Sequence, residues 1–167
     1  MSAYQTLVVG TDGSDTSLRA VEHAAALAAQ HNAKLIIAMA HLPEVDRGGW
    51  ARPPRPDRVI DPRAEVTLGV EGDYKVHGTA AVYAILREAR DRASAAGARI
   101  IEMRPVAEHH LEGPAHALCR FAQEVKADLL VVGSLGLGTR ADKWFGSVPG
   151  KVLRRSKTEV LVVHTTD

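Results

Sequence analysis

Apolar positions in this chain follow two patterns that alternate along its length. The runs TLVVGT (6–11), KLIIAMAHL (34–42), DLLVVG (128–133) and TEVLVVH (158–164) are almost continuously aliphatic. A strand wetted on one face alternates, whereas a strand covered on both faces stays apolar, so these runs predict buried strands of a parallel sheet. ARIIEMRPVAEH (98–109) alternates more and suits a sheet edge. Between the runs the spacing becomes helical. Leu18, Val21, Ala24, Ala25 and Ala28 recur at three and four residues within 15–31. Val82, Ile85, Leu86, Ala89, Ala93 and Ala96 repeat that spacing up to a stop at Gly97, and Ala115, Leu118, Ala122 and Val125 form a third stripe. A short last helix is expected to open at Ser147, a good N-cap, with Pro149 tolerated in its first turn.

Regular alternation of strand and helix implies a single-domain α/β fold: an open, Rossmann-like parallel sheet of five strands with helices on both faces. In the order 3-2-1-4-5 the crossovers diverge between the first and fourth strands, and ligands of such sheets bind beyond the carboxyl ends there. Those ends carry Gly10, Thr11 and Asp12 on the first strand, Ala40 and His41 on the second, and Gly133 and Ser134 on the fourth. One stretch breaks the rhythm. Residues 43–77 hold five of the eight prolines and arginines at 47, 52, 55, 58 and 63. That is too long for an ordinary connection, so it reads as decoration, as a lid or as a partner contact.

At 167 residues the whole chain, 1–167, is expected to form one domain. A net charge of +1 sets up no overall field toward nucleic acid or an anionic membrane. A single cysteine, Cys119, fits a reducing compartment and reads as a small helix-core residue rather than a nucleophile. MSAYQTLVVG has no basic stretch leading into a long apolar one, and no run approaches the ~20 residues of a membrane span. The expectation is a soluble, cytoplasmic protein.

The fourth run leads into GSLG, nine further residues, and then Gly146-Ser147. Glycines at 133 and 136 let the backbone turn sharply and approach a ligand closely. Gly146 and Ser147 precede a helix, whose free N–H groups and positive end suit phosphate, with Arg140 and Lys143 near in sequence. The plainer alternative is that these glycines only turn and Ser147 only caps. No Walker loop and no dinucleotide fingerprint occurs, since Gly150-Lys151 runs into Val152 and GLG at 136–138 lacks a later glycine.

Taken in order, VVGTDGSDTS, a long central loop, DLLVVGSLGLG, FGSVPGKVLRRS and a closing EVLVVH resemble the landmarks of the universal stress protein family. The resemblance covers all but about 43–76, and its sharpest part, G-x2-G-x9-G-[ST], marks the family's nucleotide-binding branch. It implies an adenine nucleotide alpha hydrolase-like fold and an adenine nucleotide as ligand: ATP, with magnesium, or cyclic AMP. The role it implies is that of a stress-response sensor or nucleotide reservoir. Carried over residue by residue, Asp12 lies near adenosine with Thr11 beside it, and the backbone near Ala40 meets the adenine edge. Val132, Gly133, Ser134 and Gly136 line ribose and phosphates, and Gly146, Ser147 and Val148 form the phosphate end. Two departures stand out. Gly10 replaces a proline frequent in the family, and Pro149 removes a backbone donor, which favours a small phosphate and keeps cyclic AMP beside ATP.

Other readings compete. An adenylating enzyme of the related class needs S-G-G-x-D-[ST] after the first strand. Here Thr11-Asp12-Gly13-Ser14-Asp15-Thr16 puts a carboxylate where a glycine should admit pyrophosphate. A non-nucleotide dimeric scaffold is the second rival. His109, His110 and His116 lack the H-x-x-x-H spacing of a metal pair, so no metal site is expected. No general base, arginine finger or Walker lysine is recognisable, so at most weak ATP hydrolysis is expected. Val160 to Val163 has no internal charge or proline to protect a sheet edge. A homodimer through 158–164 is therefore expected, as the resemblance also implies.

Overall fold

The computed structural model describes residues 4–41, 74–109, 112–134 and 148–164. The apolar runs form β1 (Thr6–Gly10), β2 (Lys34–His41), β3 (Ile100–Ala107), β4 (Leu129–Gly133) and β5 (Glu159–Val163). They make one parallel sheet in the expected order, β3-β2-β1-β4-β5. Among the described residues four helices cover it: α1 (Asp15–His31), α2 (Tyr74–Ala95), α3 (Pro114–Glu124) and α4 (Val148–Arg155).

Alternation along each strand sends side chains to two separate cores. Leu7 and Val9 of β1 pack with Leu18, Val21 and Ala25 of α1 and Leu86 and Ala89 of α2. Val8 points the other way, into a cluster with Leu118 and Phe121 of α3 and Val152 of α4. Thus α1 and α2 lie on one face and α3 and α4 on the other. The crossovers leaving β1 and β4 diverge, as the strand order requires.

Helix boundaries follow local chemistry. Ser14 caps α1, its hydroxyl accepting the Ser17 N–H at 3.2 Å, and Asn32 closes that helix in the left-handed region. Gly97, at φ +107°, is the stop expected after the second helical stripe. One boundary differs from the sequence reading. α2 begins at Tyr74, inside the stretch assigned to the 43–77 excursion. Its first turns contain Gly78 and precede the stripe that starts at Val82, so periodicity could not announce them. The rest of the excursion lies outside the described residues. Cys119 is a buried core residue, and burial pushes its thiol pKa up, which makes it a poor nucleophile. Among the described residues no helix is long and apolar enough to cross a membrane.

The two sheet edges differ. On β3, Glu102 pairs with Lys34 of β2 at 2.5 Å and with Arg104 at 3.0 Å, and Pro105 has no N–H to offer a further strand. Lys34 holds the Glu102 carboxyl below its usual pKa range. On β5 only Glu159 is charged, and Val160, Leu161, Val162 and Val163 are all half-buried.

At the amino end of the sheet the Asp128 carboxylate accepts the backbone N–H groups of Gln5 and Thr6 at 2.8 and 2.9 Å. It ties the entry of β1 to the entry of β4. Asp128→Ala should therefore cost about 1–2 kcal/mol of stability. The expected sign in urea unfolding is a lowered midpoint at unchanged slope; an unmoved midpoint would show that water replaces the carboxylate without loss.

Candidate functional site

Sheet register brings the predicted residues together at one end. β1 pairs with β2 so that Gly10 stands opposite Ala38, and with β4 so that Val9 stands opposite Val131. Continuing both ladders sets Asp12 level with Ala40, and Thr11 level with Gly133. With strands ~4.8 Å apart, the ends of β2, β1 and β4 form a shelf about 10 Å wide. The shelf opens where the crossovers diverge. The Thr11 N–H donates to the Ala38 carbonyl at 2.9 Å and extends β1 along β2. On the other side the Ser134 N–H donates to the Val163 carbonyl at 2.9 Å, and Ser134 is 1% exposed.

Hydroxyls fix the turn between β1 and α1. Thr11 Oγ1 and Ser17 Oγ share a buried hydrogen bond of 2.8 Å. Thr11 Oγ1 also accepts the Gly13 N–H at 3.1 Å, and Ser17 Oγ accepts the Asp12 N–H at 3.3 Å. Asp12 Oδ1 accepts both the N–H and the hydroxyl of Ser14, at 2.9 and 2.5 Å. One oxygen of the Asp12 carboxylate thus holds the turn in shape. Gly13 sits at φ +87°, and a Cβ there would lie 3.1 Å from Ile85 of α2, so both backbone and space call for glycine. At Gly10 the reason is space alone: a Cβ would lie 2.7 Å from Leu118 Cδ1, which reaches over the strand end from α3. A larger residue at position 10 would therefore require the Leu118 side chain to move.

Gly136, Gly146 and Ser147 lie outside the described residues, as do His110, Arg140 and Lys143. Val148 is described, as the first residue of α4, and Pro149 follows it inside the first turn, as expected. Among the described residues no group of three or more His, Cys, Asp and Glu side chains could hold a metal ion.

Sequence reasoning missed a cleft between α3 and α4, of about 290 Å³. Gly113, Pro114, Ala115 and His116 line one wall, with Glu112 at its rim. Val148, Lys151 and Arg155 line the other, so the cleft includes one residue that the sequence assigned to the phosphate end. Two signals could have revealed it: a Gly-Pro pair opening a helix, and cations three and seven residues after Val148. The carboxylate of Glu112 is spoken for. It accepts Arg120 Nε at 2.8 Å, Arg120 Nη2 at 3.2 Å and the His109 N–H at 2.7 Å. Arg120 further bonds Glu124 and the Ala107 carbonyl, which fixes the connection from β3 into α3.

Comparison with known proteins agrees with this arrangement. The model of the universal stress protein family matches residues 3–49 and 58–164. Universal stress protein Rv1636 of Mycobacterium tuberculosis is 50% identical over 166 residues, covering 99% of this chain and 100% of that protein. The crystal structure of a universal stress protein in complex with cAMP superimposes with TM-score 0.69 at 50% identity, covering 99% of this chain and 100% of the other. The crystal structure of Rv1636 gives TM-score 0.56 at 43% identity over 99% of both chains.

The Arg120 guanidinium, and then the His109 N–H, hold the Glu112 carboxyl down to about 2. A depressed carboxylate contributes stability that is complete above its unfolded value, about 4.3, and lost as pH falls through the folded one. Glu112→Gln should thus melt at a lower temperature than the wild type at pH 7. The gap should close between pH 4.5 and 2. A gap that stays constant over that window in paired thermal melts would mean that Glu112 acts through packing, not charge.

Proposed function

The chain belongs to the universal stress protein family, and from that premise we propose that it binds an adenine nucleotide beyond the carboxyl ends of β1, β2 and β4. The observation that carries this reading is the convergence of Gly10, Thr11, Asp12, Ala40, Val132, Gly133 and Ser134 on one shelf, where the crossovers part. The relative in complex with cAMP, half identical over nearly the full chain, supports the same ligand class. ATP, with magnesium, and cyclic AMP are the two candidate ligands. Pro149 withholds an N–H from the start of α4, which favours the smaller phosphate. The Asp12 carboxylate locked into its turn supports binding over transfer of an adenylyl group, because it would repel an approaching pyrophosphate.

The role that fits is a cytoplasmic sensor or reservoir of nucleotide with at most weak hydrolysis. Calorimetric titration with ATP, ADP, AMP and cyclic AMP, with and without magnesium, tests it. At least one should bind, a folded Gly136→Val variant should lose that binding, and ATP turnover should stay well below about 1 per second. A wild-type protein that binds none of them ends the nucleotide reading and leaves the non-nucleotide scaffold.

The unprotected edge of β5, set against the charged and proline-bearing edge of β3, supports a homodimer paired through 158–164. Light scattering behind a sizing column should give twice the mass of one chain at micromolar concentration. Val162→Pro, which removes an edge N–H, should give monomer or aggregate. A wild-type mass of one chain would end this part of the proposal.

A further inference from the structure

The α3–α4 cleft carries more positive charge than its surroundings answer. Val148, Lys151 and Arg155 fall at i, i+3 and i+7, so they share the face of α4 that lines it. Among the described residues neither Lys151 nor Arg155 has an ion-pair partner. The one carboxylate at the rim, Glu112, is neutralised by Arg120, and its side chain is only 5% exposed. A cavity with cations on one wall and a satisfied acid opposite presents net positive potential to whatever enters. Its volume of about 290 Å³ matches the share of roughly ten water molecules, room enough for a phosphoryl group and its hydration.

Position ties the cleft to the shelf. Leu118, one turn beyond Ala115 on α3, reaches the end of β1 at Gly10, so the cleft wall and the strand end are built from the same helix. Lys151 stands about 4.5 Å along α4 from Val148, and Arg155 about 10 Å. Of the two cations, Lys151 is therefore the one nearer the start of α4.

We propose that this cleft is the anion subsite of the nucleotide site, in which Lys151 donates to a phosphate oxygen of the bound adenine nucleotide. Arg155, deeper along the helix, supplies field and no direct contact. The proposal rests on the nucleotide-binding reading above and names a recognition residue that the glycine motif does not contain. Lys151 is exposed on a helix surface, so replacing it should leave the fold intact.

The test is calorimetric titration of AMP, cyclic AMP and adenosine into the wild type, Lys151→Met and Lys151→Arg, each checked by thermal melt. Lys151→Met keeps the apolar stem and removes the charge. It should weaken AMP and cyclic AMP about tenfold, change adenosine less than about twofold, and blunt the salt dependence of AMP binding. Lys151→Arg should restore most of the loss. Nucleotide affinity unchanged in Lys151→Met, or an equal loss for adenosine, overturns the subsite while leaving nucleotide binding standing. A wild type that binds neither AMP nor cyclic AMP overturns the underlying reading instead. Inorganic phosphate is titrated alone as a separate arm. If Lys151→Met weakens its binding but not that of AMP, the cleft is an independent anion site and the proposal fails.

Discussion

β1 must be covered on both faces, and most of the architecture answers that need. Leu7, Val8 and Val9 are fully buried, alternate residues pointing into different cores. Parallel neighbours can only be joined by crossovers that pass over a face, and each crossover has a fixed hand. Covering both sides of β1 therefore sends α1 and α2 one way and α3 and α4 the other. The gap at the end of β1 and β4 is a consequence of that division. The candidate shelf needs no separate device to exist; it is where two layers of cover fail to meet.

What surrounds the gap is then shaped by small residues and hydroxyls. Leu118 closes the second core by lying over the end of β1, where a side chain at position 10 would have to displace it. Ile85 presses on Gly13 from the opposite layer. Between these two contacts the turn is held by Thr11, Ser14 and Ser17, whose hydroxyls take up backbone N–H groups that would otherwise be left without partners at a helix start. These hydrogen bonds hold the turn without help from a ligand, which lowers the ordering cost that binding there would carry.

How far the sequence foretold this depends on the range of each signal. Strands buried on both faces read as unbroken apolar runs, and four of the five were plain; β3 showed its edge position through its alternation. Helix stripes gave α1, α3 and most of α2, and the strand order supposed for a sheet of this class is the one the chain adopts. Positions such as Asp12, Ala40 and Gly133 could be placed on one shelf because each stands at the carboxyl end of a strand, and those strands are neighbours in that order. The first turns of α2 were hidden because Tyr74 to Thr79 offers no stripe. The cleft was hidden for a different reason: Lys151 and Arg155 look like any surface cations until α3 is packed beside them. Nor could spacing reveal that Glu112 is cancelled by Arg120, since the two meet only once the β3–α3 connection folds back on the helix.

The same layering bears on whether the proposed nucleotide would act as cargo or as signal. Storage needs one arrangement of the chain and ordinary mass action, whereas signalling needs two arrangements with different affinity. A ligand at a hundred times its dissociation constant stabilises the state it prefers by about 2.7 kcal/mol. Exposing even two of the large side chains packed on β1 costs about 3–6 kcal/mol. At that concentration binding would not drive a change that unpacks either core. On the proposed reading, a nucleotide-dependent difference would have to arise where Leu7, Val8 and Val9 stay covered, as at the turn after β1 or the edge at β5. The sheet is the fixed frame in either role, and the choice between sensor and reservoir lies in the segments it holds at its rim.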